Sequence, residues 1–188
     1  MNKNKQLKFK PMSDTDIHQT LPNQKIVEYN EFSKLNDITD LLSENVDSVI
    51  ILYQREPREG HWCSLVRIDD NIYYFDPYGY AIDTPLNWVS HKVDESLGQG
   101  SKWLSKLLDK SNLNSFYNTF DYQGHKDIFN KEDNKRYSIA TCGRHSCSFV
   151  KYMMKYKTNL RKYKQYMEGL KRKTGLNFDD IVSQLIPL

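Results

Sequence analysis

The stretch Gly60-His61-Trp62-Cys63-Ser64-Leu65-Val66-Arg67-Ile68-Asp69-Asp70-Asn71-Ile72-Tyr73-Tyr74-Phe75-Asp76-Pro77-Tyr78-Gly79 decides the fold. Trp62–Ile68 alternates in strand fashion, Ile72–Phe75 resumes the strand, and the acidic triplet Asp69-Asp70-Asn71 between them reads as a hairpin turn. Asp76-Pro77-Tyr78-Gly79 ends the second strand, because proline cannot donate to a ladder and glycine accepts turn dihedrals. Just upstream, Val49–Tyr53 is an apolar, β-branched run of the buried-strand type.

Helical patterns flank these strands. Ser13 or Asp14 can cap a short helix over 14–20, and Asn36 can cap another over 37–42. Thr84-Pro85 opens a helix over 85–92, with proline at the first helical position. Ser101 caps Lys102–Lys110, where Trp103, Leu104, Leu107 and Leu108 make one apolar face. Phe116–Tyr122 is aromatic and is expected as a strand, and the charged residues 124–136 as a loop. From Cys142 onward the pattern is helical, with Phe149, Val150, Met153 and Met154 on one face; Asn177 caps a last helix. Strands in the middle with helices on both sides predict an α+β fold: a mostly antiparallel central sheet packed against a helix that begins at Cys142.

The chain has 188 residues, enough for one domain, 1–188, that buries a core without disulfide staples. Aromatic residues at 13% argue against a disordered chain. The apolar runs are only a few residues long, so no transmembrane helix is expected. The basic Met1-Asn2-Lys3-Asn4-Lys5 has no apolar stretch behind it, so no secretory signal is expected either. Three cysteines cannot form a fully paired framework and point to a reducing compartment. The polar, lysine-rich residues 1–13 are expected to form a mobile or loosely packed arm. The net charge of +3 hides an asymmetry, because residues 151–173 hold nine Lys/Arg against one acid, Glu168.

Three fragments could carry chemistry. In Thr141-Cys142-Gly143-Arg144-His145-Ser146-Cys147 a cysteine opens a helix, whose positive end favours the thiolate and whose free N–H groups can hold an oxyanion. His61 starts a strand and titrates in the range that suits a base for that thiol. Asp76 ends the paired strand, so the ladder brings it near His61, where a carboxylate would orient the imidazole. Taken singly, each has a bland reading: a structural Cys-Gly, a surface histidine beside a core tryptophan, an Asp-Pro turn. Together they form a Cys-His-Asp set with a positional logic. A zinc site from His61, Cys63, Cys142 and Cys147 is the rival, but its spacings do not match the usual structural zinc knuckles.

Gly60-His61-Trp62, Tyr74-Phe75-Asp76-Pro77-Tyr78-Gly79 and Ala140-Thr141-Cys142-Gly143-Arg144-His145, in that order, resemble the adenovirus-type maturation cysteine proteases (adenain). The likeness is greater to their relatives in virophages, Polinton-like elements and large DNA viruses, with SUMO-specific proteases as more distant members of the clan. The resemblance implies His61 as general base, Asp76 as its orienting partner and Cys142 as nucleophile, with Gly143 beside the oxyanion. It also implies an oxyanion glutamine a short way before the cysteine. That window here, Glu132 to Arg136, holds none, and Gln123 is the nearest match, with Asn130 and Asn134 as weaker substitutes. Trp62 and His145 are the candidates for the substrate cleft, although for His145 the favoured reading is a place on the helix surface.

The resemblance further implies cleavage of viral capsid and structural precursor proteins during particle maturation, often beside small residues such as Gly. The place of action would be the virion or the assembly site in the host cell. No metal or organic cofactor is required, DNA or an activating peptide could serve as one, and no membrane is involved. Lys151, Lys155, Arg161 and Lys162, interleaved with Tyr152, Tyr156, Tyr163 and Tyr166, could hold DNA along one side of a helix. A solvated face with its tyrosines packed inward is the plain alternative. Two other functions stay open: an isopeptidase acting on ubiquitin-like proteins, and a non-enzymatic DNA-binding core protein on the same fold.

Overall fold

The two central hairpin strands are longer than their apolar runs. A computed structural model describes residues 7–125, 128–130 and 134–187, with backbone only at 128–130 and 135. Strand β1 is Lys25–Glu28, β2 Val46–Glu56, β3 Glu59–Ile68, β4 Asn71–Phe75 and β5 Asn114–Tyr117. They form one sheet in the order β1-β2-β3-β4-β5. The inner pairs β2–β3 and β3–β4 are antiparallel, whereas β1–β2 and β4–β5 are parallel. The sheet is therefore mixed, less antiparallel than expected, because both outer strands return from crossovers that no local pattern announces.

Both faces of the sheet are covered. Along β2, Ile50 and Leu52 join one core cluster while Val49, Ile51 and Tyr53 join the other. That is why this strand reads as a continuous apolar run. Helix α1 is Asp14–Thr20, capped by Ser13, which exchanges hydrogen bonds with Asp16 in a capping box. Helices α2 (His91–Ser96) and α3 (Trp103–Lys110) follow the hairpin. Helix α4 (Cys142–Tyr156) packs on β3, and its Phe149 stacks on Phe75 of β4 with centroids 4.5 Å apart. Truncating such a buried ring to alanine costs about 3–5 kcal/mol. Helices α5 (Leu160–Thr174) and α6 (Phe178–Leu185) close the same side; Asn159 and Asn177 cap them.

Several elements differ from expectation. The second cap is Asp37 rather than Asn36, over a three-residue 3₁₀ turn, and 84–88 is 3₁₀ rather than a full helix. Within 124–136, β6 (Ile128–Asn130) begins a small hairpin with β7 (Lys135–Tyr137). The basic stretch is two helices, not one. Lys157 takes a left-handed φ of 45°, α4 stops there, and Asn159 starts α5. Of the arm expected over 1–13, residues 1–6 lie outside the described residues. Further along, Lys8 Nζ meets Asp180 at 3.0 Å, Arg144 donates to the Lys10 carbonyl at 2.6 Å, and Met12 is buried. No helix among the described residues is long and apolar enough to cross a membrane.

Candidate active site

Strand periodicity sets one half of the site. His61 and Cys63 are two apart on β3 and share a face. Ser64 pairs with Phe75, so Asp76, one step on, stands opposite Cys63 and reaches diagonally to His61. His61 Nε2 lies 3.2 Å from Asp76 Oδ2, and the Cys63 thiol donates to the same oxygen at 3.4 Å. Asp76 Oδ1 accepts the Tyr78 N–H at 2.7 Å, inside the turn that Gly79 closes with a φ of 76°. Asn118 clamps the Asp76 backbone from both sides: its Oδ1 accepts the Asp76 N–H at 2.8 Å and its Nδ2 donates to the Asp76 carbonyl at 2.7 Å.

Helix α4 supplies the other half. Its first turn rises under the end of β3, tied there by Ser146 Oγ donating to the Trp62 carbonyl at 3.1 Å. The first intrahelical bond runs from His145 N–H to Thr141 O, which leaves the N–H groups of Cys142, Gly143 and Arg144 free of helical partners. Gly143 must be glycine, because a Cβ there would sit 2.9 Å from Met12 Cβ and 3.2 Å from Trp62 Cδ1. Met12 is itself held by Trp62, whose indole N–H donates to the Met12 carbonyl at 3.0 Å.

The charges follow from this packing. Burial by itself would raise the Cys142 thiol, but the hydrogen bond and charge of His61, with the Trp62 and Gly143 N–H groups, bring it below its ordinary value. Burial alone would lower His61. The negative charge of its neighbours and its hydrogen bonds to Asp76 and Cys142 hold it well above the usual imidazole range instead. Burial pushes Cys63 up to about 12, so near neutral pH it is an uncharged donor. A half-buried thiol whose ionised form is favoured by a neighbouring imidazole, at a helix start whose N–H groups lack helical partners, can attack an acyl carbon and hold the resulting oxyanion.

The other expected site residues divide. Trp62 lines a hollow of about 590 Å³ together with Cys142, Met12 and Gly60, which places it at the cleft. Gln123 is buried nearby, its backbone N–H on the Pro77 carbonyl at 3.1 Å. Its amide nitrogen donates to Tyr78 Oη at 3.0 Å and to the Ile139 carbonyl at 3.2 Å, and its oxygen has no partner. His145 is not at the cleft. It is wholly buried, with Nε2 on Asp179 Oδ1 at 3.2 Å, because α6 packs over that side of α4. Lys151 and Lys155 are exposed on α4 and Arg161 and Lys162 on the first turn of α5, while Tyr163 is core and Tyr152 stacks on Tyr166 at 4.7 Å.

Of the four residues weighed for zinc, Cys147 is buried in the core cluster under α4, its thiol pushed up to about 12 by burial. A different trio, His61, Cys63 and Asp76, has donor atoms all within 4.8 Å of one another, but each is engaged in the hydrogen bonds just given.

No protein-family model matches the chain. It is 28% identical over 176 residues to "Uncharacterized protein V9" of Sputnik virophage, covering 93% of each chain. Among solved structures it is similar to a de-sumoylating protease, with 12% identity and a TM-score of 0.40 over 97% of this chain and 83% of that one. It is also similar to ChlaDub1 from Chlamydia trachomatis, with 14% identity and a TM-score of 0.34 over 99% and 76%. Likeness at those scores assigns no activity; the chemistry rests on the geometry above.

Residues that the sequence did not single out complete the site. Asp179 accepts from Thr141 Oγ1 at 2.5 Å, from His145, and from the Gly124 N–H at 3.0 Å. It therefore joins the residue before Cys142 to the residue after Gln123. Burial pushes its carboxyl up, but the hydrogen bonds and charge of His145, with Thr141 and Gly124, hold it below the usual carboxylate range. Tyr78 stacks on His61 at 5.1 Å and Trp88 meets it edge-on at 4.8 Å, so aromatic rings shield the imidazole from water. No local spacing announces Asp179 or Trp88, because both arrive from distant segments.

Proposed function

We propose that this chain is a cysteine endopeptidase that cleaves structural precursor proteins of a virus during particle assembly. The observation that carries the reading is the buried His61 imidazole, held by Asp76 at 3.2 Å and coupled to the Cys142 thiol at a helix start, each shifting the other toward its charged form. The Cys142 thiolate attacks the peptide carbonyl, and the oxyanion is held by the free N–H groups at the start of α4. His61 gives its proton to the departing amine, and a thioester remains on Cys142. Water, deprotonated by His61, hydrolyses it and restores the thiol.

Gln123 joins the oxyanion site by exchanging its Tyr78 partner for the substrate oxygen. The viral setting is supported by the similarity to a virophage protein across nearly the whole chain and by the three motifs that resemble adenovirus-type proteases. DNA held on Lys151, Lys155, Arg161 and Lys162 would keep the enzyme near its substrates.

Mass spectrometry of particles made with the wild-type chain and with Cys142→Ala tests this reading. Processed precursors with wild type and intact ones with Cys142→Ala are expected. Identical processing in both would overturn it. Rapid Cys142-dependent reaction with a ubiquitin-like C-terminal probe, with intact precursors, would assign an isopeptidase instead.

A further inference from the structure

We infer that a second hollow, walled by the two rings that touch His61, is the subsite for the departing segment of the substrate. It takes a large aromatic or apolar side chain just after the scissile bond. This inference rests on the peptidase reading and adds the chemical class of the leaving side.

The hollow measures about 280 Å³ and is lined by Arg55, Tyr78, Tyr80, Trp88 and His125. Four rings make its walls. Tyr78 stacks on His125 at 4.5 Å, and Tyr80 packs against Tyr78 at 6.0 Å and against Trp88 at 5.7 Å. Tyr78 and Trp88 are also the two rings that touch His61. Trp88 is 37% exposed and Tyr80 39%, large aromatic surfaces left open beside a buried histidine. The short 3₁₀ turn that presents Trp88 is anchored by buried Pro85 and Leu86 and starts from Asp83, whose carboxylate accepts from Tyr29, Tyr53 and Ser105. The surface is therefore preformed.

Direction follows from the chemistry. When the C–N bond breaks, the nitrogen takes its proton from His61, so the chain beyond the bond must pass over the imidazole. The larger hollow holds Cys142, Met12 and Trp62 and none of these four rings, so it serves the acyl side. Arg55 borders both hollows, which places them side by side. Ring faces and edges favour an aromatic guest in offset or edge-on contact. They would also attract a cation, but Arg55 at the rim repels one. The preferred side chain is accordingly Phe, Tyr, Trp or Leu, and Lys or Arg is disfavoured.

A peptide library randomised on both sides of the cut, digested by the wild type and read by mass spectrometry, tests the inference, with Cys142→Ala as control. Aromatic residues should be enriched at the first or second position after the cut, with kcat/KM at least about tenfold above the alanine counterparts. Tyr80→Ala and Trp88→Leu should reduce that ratio to within about twofold of one. The preference should reside in the acylation rate and leave thioester hydrolysis unchanged for a given acyl half, since the departing segment has gone by then. Cys142-dependent cleavage without aromatic enrichment, or enrichment that survives both substitutions, would overturn this inference and leave the peptidase reading standing. Absence of Cys142-dependent cleavage would overturn both.

Discussion

Gln123, the proposed oxyanion donor, is buried beside the Tyr78 turn. Its amide nitrogen has two protein partners, yet its position beside Tyr78 and Ile139, three residues before Cys142, suits an oxyanion donor released by substrate. Gln123→Ala should therefore lower kcat by about 10²–10³ with little change in KM, the usual cost of one oxyanion donor. A loss below threefold would make Gln123 a brace for the Tyr78 turn. Cys63 is the second case. Its thiol donates to the carboxylate that orients His61, and it accepts from Tyr74 Oη at 3.2 Å. Cys63→Ser keeps a donor of similar reach and should retain activity within a few-fold. Cys63→Val removes it and should lower kcat about tenfold, in keeping with a lost hydrogen bond to a charged group. Equal activity in both variants would show that Asp76 is oriented without it.

Between elements, Asp179 is the joint that fixes the start of α4 against the loop carrying Gln123. Its carboxyl is held below its ordinary value, so its contribution to stability is present above the usual carboxylate range and disappears as pH falls through the folded value. Asp179→Asn should lower stability near neutral pH by on the order of 3 kcal/mol, the scale of a broken buried pair. The gap from wild type should narrow as the pH is taken below about 4, where the unfolded carboxylate is protonated. Thermal melts across pH would read this, and a gap that stayed constant would rule out the charge. The His61 to Asp76 hairpin was legible because a period of two with a turn triplet is a local signal, and so were α1 and α4. Strand β1 was not, since four residues pairing in parallel depend on a distant partner. Phe116–Tyr122 reads as a strand from its aromatics, but the ladder stops at Tyr117, where the Asn118 side chain takes over the Asp76 backbone groups. His145 reads as a cleft residue only while α6 is out of view.

Across the whole molecule, the basic residues Lys151 and Lys155 are exposed on α4 and Arg161 and Lys162 on α5, the two helices joined by the turn that follows exposed Tyr156. If this surface holds DNA, affinity should fall steeply with salt and show little sequence preference. Neutralising 155, 161 and 162 together should flatten that salt dependence; unchanged affinity at low salt would leave them as ordinary solvated surface. The chemistry turns on the pair that the fold assembles from β3 and α4. Cys142 lies below and His61 above their ordinary values, two shifts that both favour a thiolate–imidazolium pair. It is lost on the acid side when the thiolate protonates and on the alkaline side when the imidazolium gives up its proton. The rate of iodoacetamide alkylation at Cys142, followed across pH in the intact protein and in His61→Ala, measures this directly. Labelling at Cys142 should be far faster than at Cys63 or Cys147, near its plateau at neutral pH, and moved to higher pH by His61→Ala. Labelling of Cys142 with an ordinary thiol profile, unchanged by His61→Ala, would contradict the pairing of Cys142 with His61.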